Sequence, residues 1–524
     1  MHASSSGKRF EKLLFVPVGA ILAGFFLAAT AYAADSSRET IHPNSYVYRA
    51  LRTFELIGLV RLDPQTPYVR PQVERYVGEI IEALEEGGVT LTPRQEFLLE
   101  RMTGEYAGKG ITPAERENPP LYTYQKEERY FGIEMPVGLR GLKRPERDKA
   151  ELEGLLRPGI QVYLGRGVTM EMQYRIVLGP EYDENVSHER PGPRVRSWRG
   201  MTSLYERSYI SFGGSSWQMR LGRDYVAWGS GRIENLLMSQ SASSMDNLYA
   251  RVDIGRFGLS LLHVQLDPAM PRLLAGHRLS VRMPRGIFLG ISETVLYTGR
   301  QFDYAYLLPL VSYYSNQYNE RTDDNITWSV DLKVPLGQGV LLYGDLLIDD
   351  LQYESEPPAP HRIAFNVTAE ANLRPWGREV ELLAAYTFVD IYTYAHKDSL
   401  NTHYISGAGE VNVDLPIGSL LGPDADRWRL RLSAPVHQRA VLSGWGIYSR
   451  RGEGNGYLEW SPGMEPDPPF PSGEVAKETE FALQIDVDLG RGSYVTGGGG
   501  WRNTRAAGEE TGQGFAFLTF VWDF

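Results

Sequence analysis

The sequence predicts an all-β transmembrane barrel of about 18 antiparallel strands with a small N-terminal α-helical bundle. Three observations predict it. The last eleven residues run Gly514-Phe515-Ala516-Phe517-Leu518-Thr519-Phe520-Val521-Trp522-Asp523-Phe524, which puts Phe524, Trp522, Phe520, Leu518 and Ala516 on one apolar stripe at strand period. As a soluble edge strand this segment would be an aggregation hazard, so a closed barrel in lipid accounts for it best. The same two-residue period recurs from about residue 128 onward, apolar residues alternating with charged ones. Connections between these stretches alternate between tight and long.

The N-terminus agrees. Lys8, Arg9 and Lys12 precede an apolar stretch at residues 13–29, and Ala31-Tyr32-Ala33 is an A-x-A cleavage site before Ala34. Residues 1–33 therefore read as a secretory signal peptide, cleaved after export across the inner membrane. No other stretch approaches the roughly 18 apolar residues of a spanning helix. The mean hydropathy of -0.31 fits a barrel, in which only alternate residues face lipid. With no cysteine, disulfide scaffolds and thiol chemistry are excluded, and a net charge of -11 argues against a nucleic-acid surface. The 31 Tyr and 10 Trp suit aromatic girdles or sugar-stacking surfaces.

Residues 34–120 read as a periplasmic helical bundle. Tyr46, Ala50, Leu51, Phe54 and Ile57 form one amphipathic face, and Val73, Tyr76, Val77, Ile80, Ile81 and Leu84 another. Gly87-Gly88 stops the second helix. Thr92-Pro93-Arg94-Gln95 opens a third, with Thr92 as N-cap, Pro93 at the first helical position and Gln95 completing a capping box. Three short helices need a partner surface to be stable.

Residues 121–524 read as the barrel. Met170, Met172, Tyr174 and Ile176 alternate with Thr169, Glu171, Gln173 and Arg175. Phe365, Val367 and Ala369 alternate with Asn366, Thr368 and Glu370, and Trp428, Leu430 and Leu432 with Arg427, Arg429 and Arg431. An apolar exterior around a charged interior inverts the pattern of a soluble sandwich. Tight turns at 255–258, 284–286, 337–339, 375–378 and 490–492 fall at the periplasmic end. Long connections at 179–203, 227–246, 298–324, 351–361, 390–402 and 450–476 fall at the cell surface. Both chain ends being periplasmic requires an even strand number, and the parity fails within residues 403–448.

The terminal strand resembles that of bacterial outer-membrane barrels, which implies an insertion signal read by the barrel-insertion machinery. Several segments resemble the capsule-assembly Wzi family of outer-membrane proteins. They are Gly222-Arg223-Asp224-Tyr225-Val226-Ala227-Trp228-Gly229-Ser230-Gly231-Arg232, Glu234-Asn235-Leu236-Leu237-Met238-Ser239, Leu274-Ala275-Gly276-His277-Arg278-Leu279, Asp323-Asp324-Asn325-Ile326, Leu342-Tyr343-Gly344-Asp345-Leu346-Leu347-Ile348-Asp349-Asp350 and Leu421-Gly422-Pro423-Asp424-Ala425-Asp426. The resemblance implies an 18-stranded barrel, a periplasmic helical bundle and a lectin-like role in holding capsular polysaccharide at the cell surface. Residues 48–76 resemble one S-layer-homology unit, which makes peptidoglycan or a periplasmic protein a further candidate partner.

Residues 225–239 concentrate Tyr225, Trp228, Arg232, Glu234 and Asn235 around Gly229 and Gly231. Aromatic platforms and planar polar groups bind sugars, so these residues are candidates for a polysaccharide site. They suit still better a loop that folds inward and plugs the barrel, and the two roles can coexist. His277 reads as a lumen hydrogen-bonding residue. Tyr313 and Tyr314, with Tyr304, Tyr306 and Tyr318, offer the next densest set of aromatic platforms. Asp323-Asp324 and Asp349-Asp350 read more readily as structural partners than as calcium ligands. No H-E-x-x-H or G-x-S-x-G signature is present, and neither an enzyme activity nor a cofactor is expected. The leading function is thus a non-enzymatic outer-membrane barrel that binds and retains surface polysaccharide, capsule or exopolysaccharide. A porin-like diffusion channel is the alternative, because the inward faces carry many charges of both signs.

Overall fold

The computed structural model describes residues 37–106, 116, 119–143, 149–179, 201–267, 271–300, 302–308, 311–337, 339–351, 359–398, 401–405 and 415–523. The expected signal peptide and Phe524 lie outside the described residues. Twenty-one strands join one antiparallel sheet that closes on itself where β23 (Glu509–Trp522) pairs with β3 (Val137–Lys143). Two wall strands are each interrupted once. β2 (Arg129–Glu134) meets β3 across Met135-Pro136, and β4 (Glu151–Leu156) meets β5 (Gly159–Gly165) across Arg157-Pro158. Proline offers no N–H to the ladder, so both breaks fall there. β1 (Tyr122–Lys126) is a short arm on β2. With each interrupted pair taken as one strand and β1 left aside, the wall has 18 strands.

The parity problem at 403–448 has a simple origin. β17 (Tyr404–Ile405) and β18 (Leu415–Pro416) form a separate two-stranded sheet, while β16 (Val380–Val389) pairs directly with β19 (Ala425–His437). The extra pair belongs to a long connection and not to the wall.

The period-two pattern sets which way each wall residue faces. In β15 (Arg362–Leu373), Asn366, Thr368 and Glu370 are buried in the lumen and Val367 is exposed outside. Ile291, Leu430, Phe481, Leu518 and Trp522 are exposed on the same outer surface, whereas Arg278 and Asp331 are wholly buried within. Exposed aliphatics around buried charges suit a lipid exterior.

The helices are α1 (Tyr46–Leu56), α2 (Arg70–Glu85) and α3 (Pro93–Tyr106). Val47, Leu51, Phe54, Val73, Tyr76, Ile80, Leu98 and Met102 form their common core. Thr92 and Gln95 make the reciprocal capping box, at 3.0 and 3.4 Å. The unit seats in the barrel's tight-turn end. Arg101 pairs with Asp488, Arg94 donates to the Gln438 carbonyl at 2.7 Å, and Lys333 pairs with Glu55 at 2.5 Å. Ahead of α1, residues 37–40 thread along the lumen wall, where Arg38 N donates to Thr169 Oγ1 at 2.7 Å and Thr40 Oγ1 to Asp224 at 2.7 Å. Burial pushes the Glu39 and Asp63 carboxyls up, but the guanidiniums of Arg116 and Arg70 around the first, and of Arg251 and Arg282 around the second, hold both well below the usual range. Both acids therefore stay charged and paired at neutral pH.

The lumen fills unevenly. Inward positions from β9 (Met245–Ile254) round to β16 are mostly buried beneath the helices and an inserted loop. Among the described residues, many inward positions of β20 (Ala440–Arg451), β21 (Ala476–Gly490) and β22 (Ser493–Ala506) are half-exposed.

Candidate functional site

The inserted loop is residues 225–244, between β8 (Trp217–Asp224) and β9, and it enters from the long-loop end. Trp228 N donates to the Met238 carbonyl at 3.0 Å, pinching the loop into a narrow hairpin. The Trp228 indole is wholly buried against Gly276 of β11 (Arg272–Arg282), where a Cβ would come within 2.8 Å of the ring. Only glycine leaves room there. Leu236, Leu237 and Met238 pack with Leu262, Val264, Leu274, Leu296, Leu347 and Ile417 into an apolar core inside the barrel.

Polar anchors hold this core from every side. Ser230 Oγ donates to Asp331 at 2.6 Å, and Asp331 is itself gripped by Arg278 at 2.5 and 2.9 Å. Leu236 N donates to Asp345 at 2.8 Å. The Tyr394 hydroxyl donates to the Leu236 carbonyl at 2.7 Å, while Tyr394 N donates to Asp349 at 2.8 Å. Glu234 accepts from Thr387 at 3.1 Å and Ser419 at 2.7 Å. His403 Nε2 donates to the Leu237 carbonyl at 2.7 Å, and burial pushes that imidazole down to about 4. Arg232 Nε donates to Glu370 at 2.9 Å, and the same carboxylate pairs with Arg52 of α1. Loop and helical unit thus meet on one glutamate.

The structure places the candidate residues in two groups. Tyr225, Trp228, Arg232, Glu234 and Asn235 come together in the inserted loop. Tyr225 donates to Glu206 at 2.6 Å and Asn235 Nδ2 to the Met238 carbonyl at 3.3 Å. His277 belongs elsewhere, and its expected lumen position is corrected. Its neighbour Arg278 points inward, so His277 must point outward, and it pairs with Glu293 of β12 (Phe288–Thr298) at 3.1 Å on the barrel's outer wall.

Over that pair lie residues 302–308 and 311–324, which carry α4 (Tyr313–Glu320). Glu293 accepts from Tyr313 N at 2.9 Å and Tyr314 N at 3.1 Å, a carboxylate at a helix N-terminus. Tyr306 and Tyr313 are buried against Ala275, Val295 and Ile326, whereas Tyr304, Tyr314 and Tyr318 are exposed. The acidic pairs are engaged too. Asp324 pairs with Arg300 at 2.6 Å, and Asp349 accepts from Thr327 at 3.2 Å. Among the described residues, no group of three or more His, Asp or Glu is placed to hold a metal ion.

The profile of the family described as "Capsule assembly protein Wzi" matches residues 156–515. The chain belongs to that family. Segments that carried the resemblance are those that hold the loop: Gly276 receives Trp228, Arg278 braces Asp331, and Asp345 and Asp349 fix Leu236 and Tyr394. Sequence reasoning overlooked Tyr394, His403 and Ser419, which lie in a connection without periodicity. Among solved structures, the chain is similar to Wzi of Escherichia coli, described as a carbohydrate-binding β-barrel involved in group 1 capsule assembly. The TM-score is 0.60 at 13% identity, over 93% of this chain and 100% of that one. Pseudomonas aeruginosa OprD aligns with a TM-score of 0.43 at 11% identity, over 75% of this chain and 95% of that one. No curated protein sequence matches the chain.

Proposed function

We propose that the protein is an outer-membrane barrel that binds and retains surface polysaccharide at the cell surface, as a lectin does and without catalysing a reaction. The observation that carries this reading is the packed hairpin of residues 225–244. A lumen holding a Trp, Leu and Met core braced by buried ion pairs is built to stay closed, which suits a binder better than a pore. Family membership and the carbohydrate binding of the E. coli relative support it. Exposed Tyr304, Tyr314 and Tyr318 supply stacking faces at the long-loop end. The half-exposed inward positions of β20–β22 favour the channel as a second reading.

Deletion of the gene should release polysaccharide into the medium, and purified protein in a planar bilayer should stay silent at neutral pH. Unchanged retention by the deletion strain would sink the binding role. Steady large openings would favour the channel.

A further inference from the structure

We infer that β19 carries a carboxylate-binding track on its inward face, formed by Arg427, Arg429 and Arg431, which takes a uronate-bearing polysaccharide. The inference rests on the reading above and names the charge of the glycan. Arg427 lies opposite Thr387 and Ser449, Arg429 opposite Ala385 and Ile447, and Arg431 opposite Leu383 and Trp445. Trp428, Leu430 and Leu432, between and beyond them, are exposed on the outer wall. The three guanidiniums therefore share the lumen face, at a repeat of about 7 Å.

Their partners are missing. Among the described residues, Arg427 and Arg429 make no hydrogen bond or ion pair, and Arg431 donates only to Ser443 Oγ at 3.2 Å. All three Nε atoms are buried without an acceptor. Other inward arginines are matched: Arg278 with Asp331, Arg251 with Asp63 and Arg207 with Glu171. The carboxylates that act on Arg429, Glu234 and Glu480, are engaged already, Glu234 by Ser419 and Glu480 by Trp445 and Arg502. Those that act on Arg431 are engaged too, Asp486 by Arg49 and Thr496, Glu381 by Thr53, and Glu370 by Arg52 and Arg232. A half-buried guanidinium without a counter-ion is costly, and a ligand carboxylate would supply what the protein withholds.

The neighbouring wall has the remaining features of a sugar site. It is the side of the lumen that the helices and the hairpin leave half-exposed. Trp445, Phe515 and Phe517 face inward there, and the two phenyl rings lie over Gly500 and Gly498, where a Cβ would come within 2.8 and 2.7 Å. Planar guanidiniums grip carboxylates in two-point contacts, and the aromatic faces suit the C–H surface of a pyranose.

The test uses the full-length mature protein in detergent, titrated with trigalacturonate, maltotriose and monomeric galacturonate while Trp fluorescence is followed. Trigalacturonate should bind and maltotriose should not, with binding weakening as NaCl rises from about 0.05 to 0.5 M. The triple variant Arg427→Gln, Arg429→Gln, Arg431→Gln should bind at least about tenfold more weakly. The triple Arg→Lys variant should recover part of that loss, and should the Gln variant fail to fold, the salt dependence and the maltotriose arm decide on wild-type protein alone. Equal binding of trigalacturonate and maltotriose, or unchanged binding by the Gln variant, would overturn the track while leaving polysaccharide retention standing. Galacturonate binding as tightly as the trimer would overturn the polymer as the ligand's source. No binding of any probe, with retention lost in the deletion strain, would overturn the track alone.

Discussion

Acid should open the hairpin, and His403 is the reason. Its ring is buried between Tyr394, on which it stacks at 5.3 Å with 12° between planes, and the Leu237 carbonyl. Burial lowers its pKa from 6.5 to about 4, Arg272 adds to that, and the hydrogen bond to Leu237 opposes it. With the hairpin released, His403 would be left as an ordinary imidazole in its own connection. The released state therefore binds more protons between these values, so the advantage of the closed state is complete above 6.5 and shrinks as pH falls toward 4. The gap corresponds to about 3 kcal/mol, roughly three hundredfold in the ratio of closed to open forms. Planar-bilayer recording reads it directly: silence at about pH 7 and openings at about pH 4.5. Acid also acts on groups other than His403, so the assay needs His403→Gln, which keeps a donor toward Leu237 but does not titrate. Identical acid responses of wild type and His403→Gln would refute the reasoning.

Trp228→Ala empties the centre of the hairpin's core and should cost about 3–5 kcal/mol locally. The expected result is new conductance and sensitivity to bulky antibiotics, with barrel abundance unchanged. Trp522→Asp puts a charge on the outer stripe at the closing strand, at a cost below the about 2–4 kcal/mol of a basic residue at mid-depth and smaller again near an interface. Heat-modifiable protein should disappear from outer-membrane fractions. Glu293→Ala removes the acceptor at the N-terminus of α4 and should cost about 1–2 kcal/mol. Limited chymotrypsin digestion should then cut near Tyr314 or Tyr318 faster than in wild type, and equal rates would show that the pair with His277 does not hold the helix.

By itself the sequence determined everything that depends on near neighbours. Thr92 and Gln95 are three residues apart, so their capping box was legible. Alternation in β15 and β19 assigned Glu370 and Arg429 to the lumen because adjacent side chains on a strand must oppose each other. The same rule would have put His277 outside once Arg278 was inside, and that signal was present but unused. Tertiary structure decided what depends on contacts between distant residues. Trp228 meets Gly276, Glu234 meets Ser419, and Arg52 and Arg232 share Glu370 across more than a hundred positions of chain. Periodicity carries no information about which loop turns inward, since a polar, glycine-rich connection satisfies its backbone equally well in water or against a charged lumen. Only the match of the hairpin's apolar side chains and hydrogen-bonding groups to the wall selects the lumen over solvent.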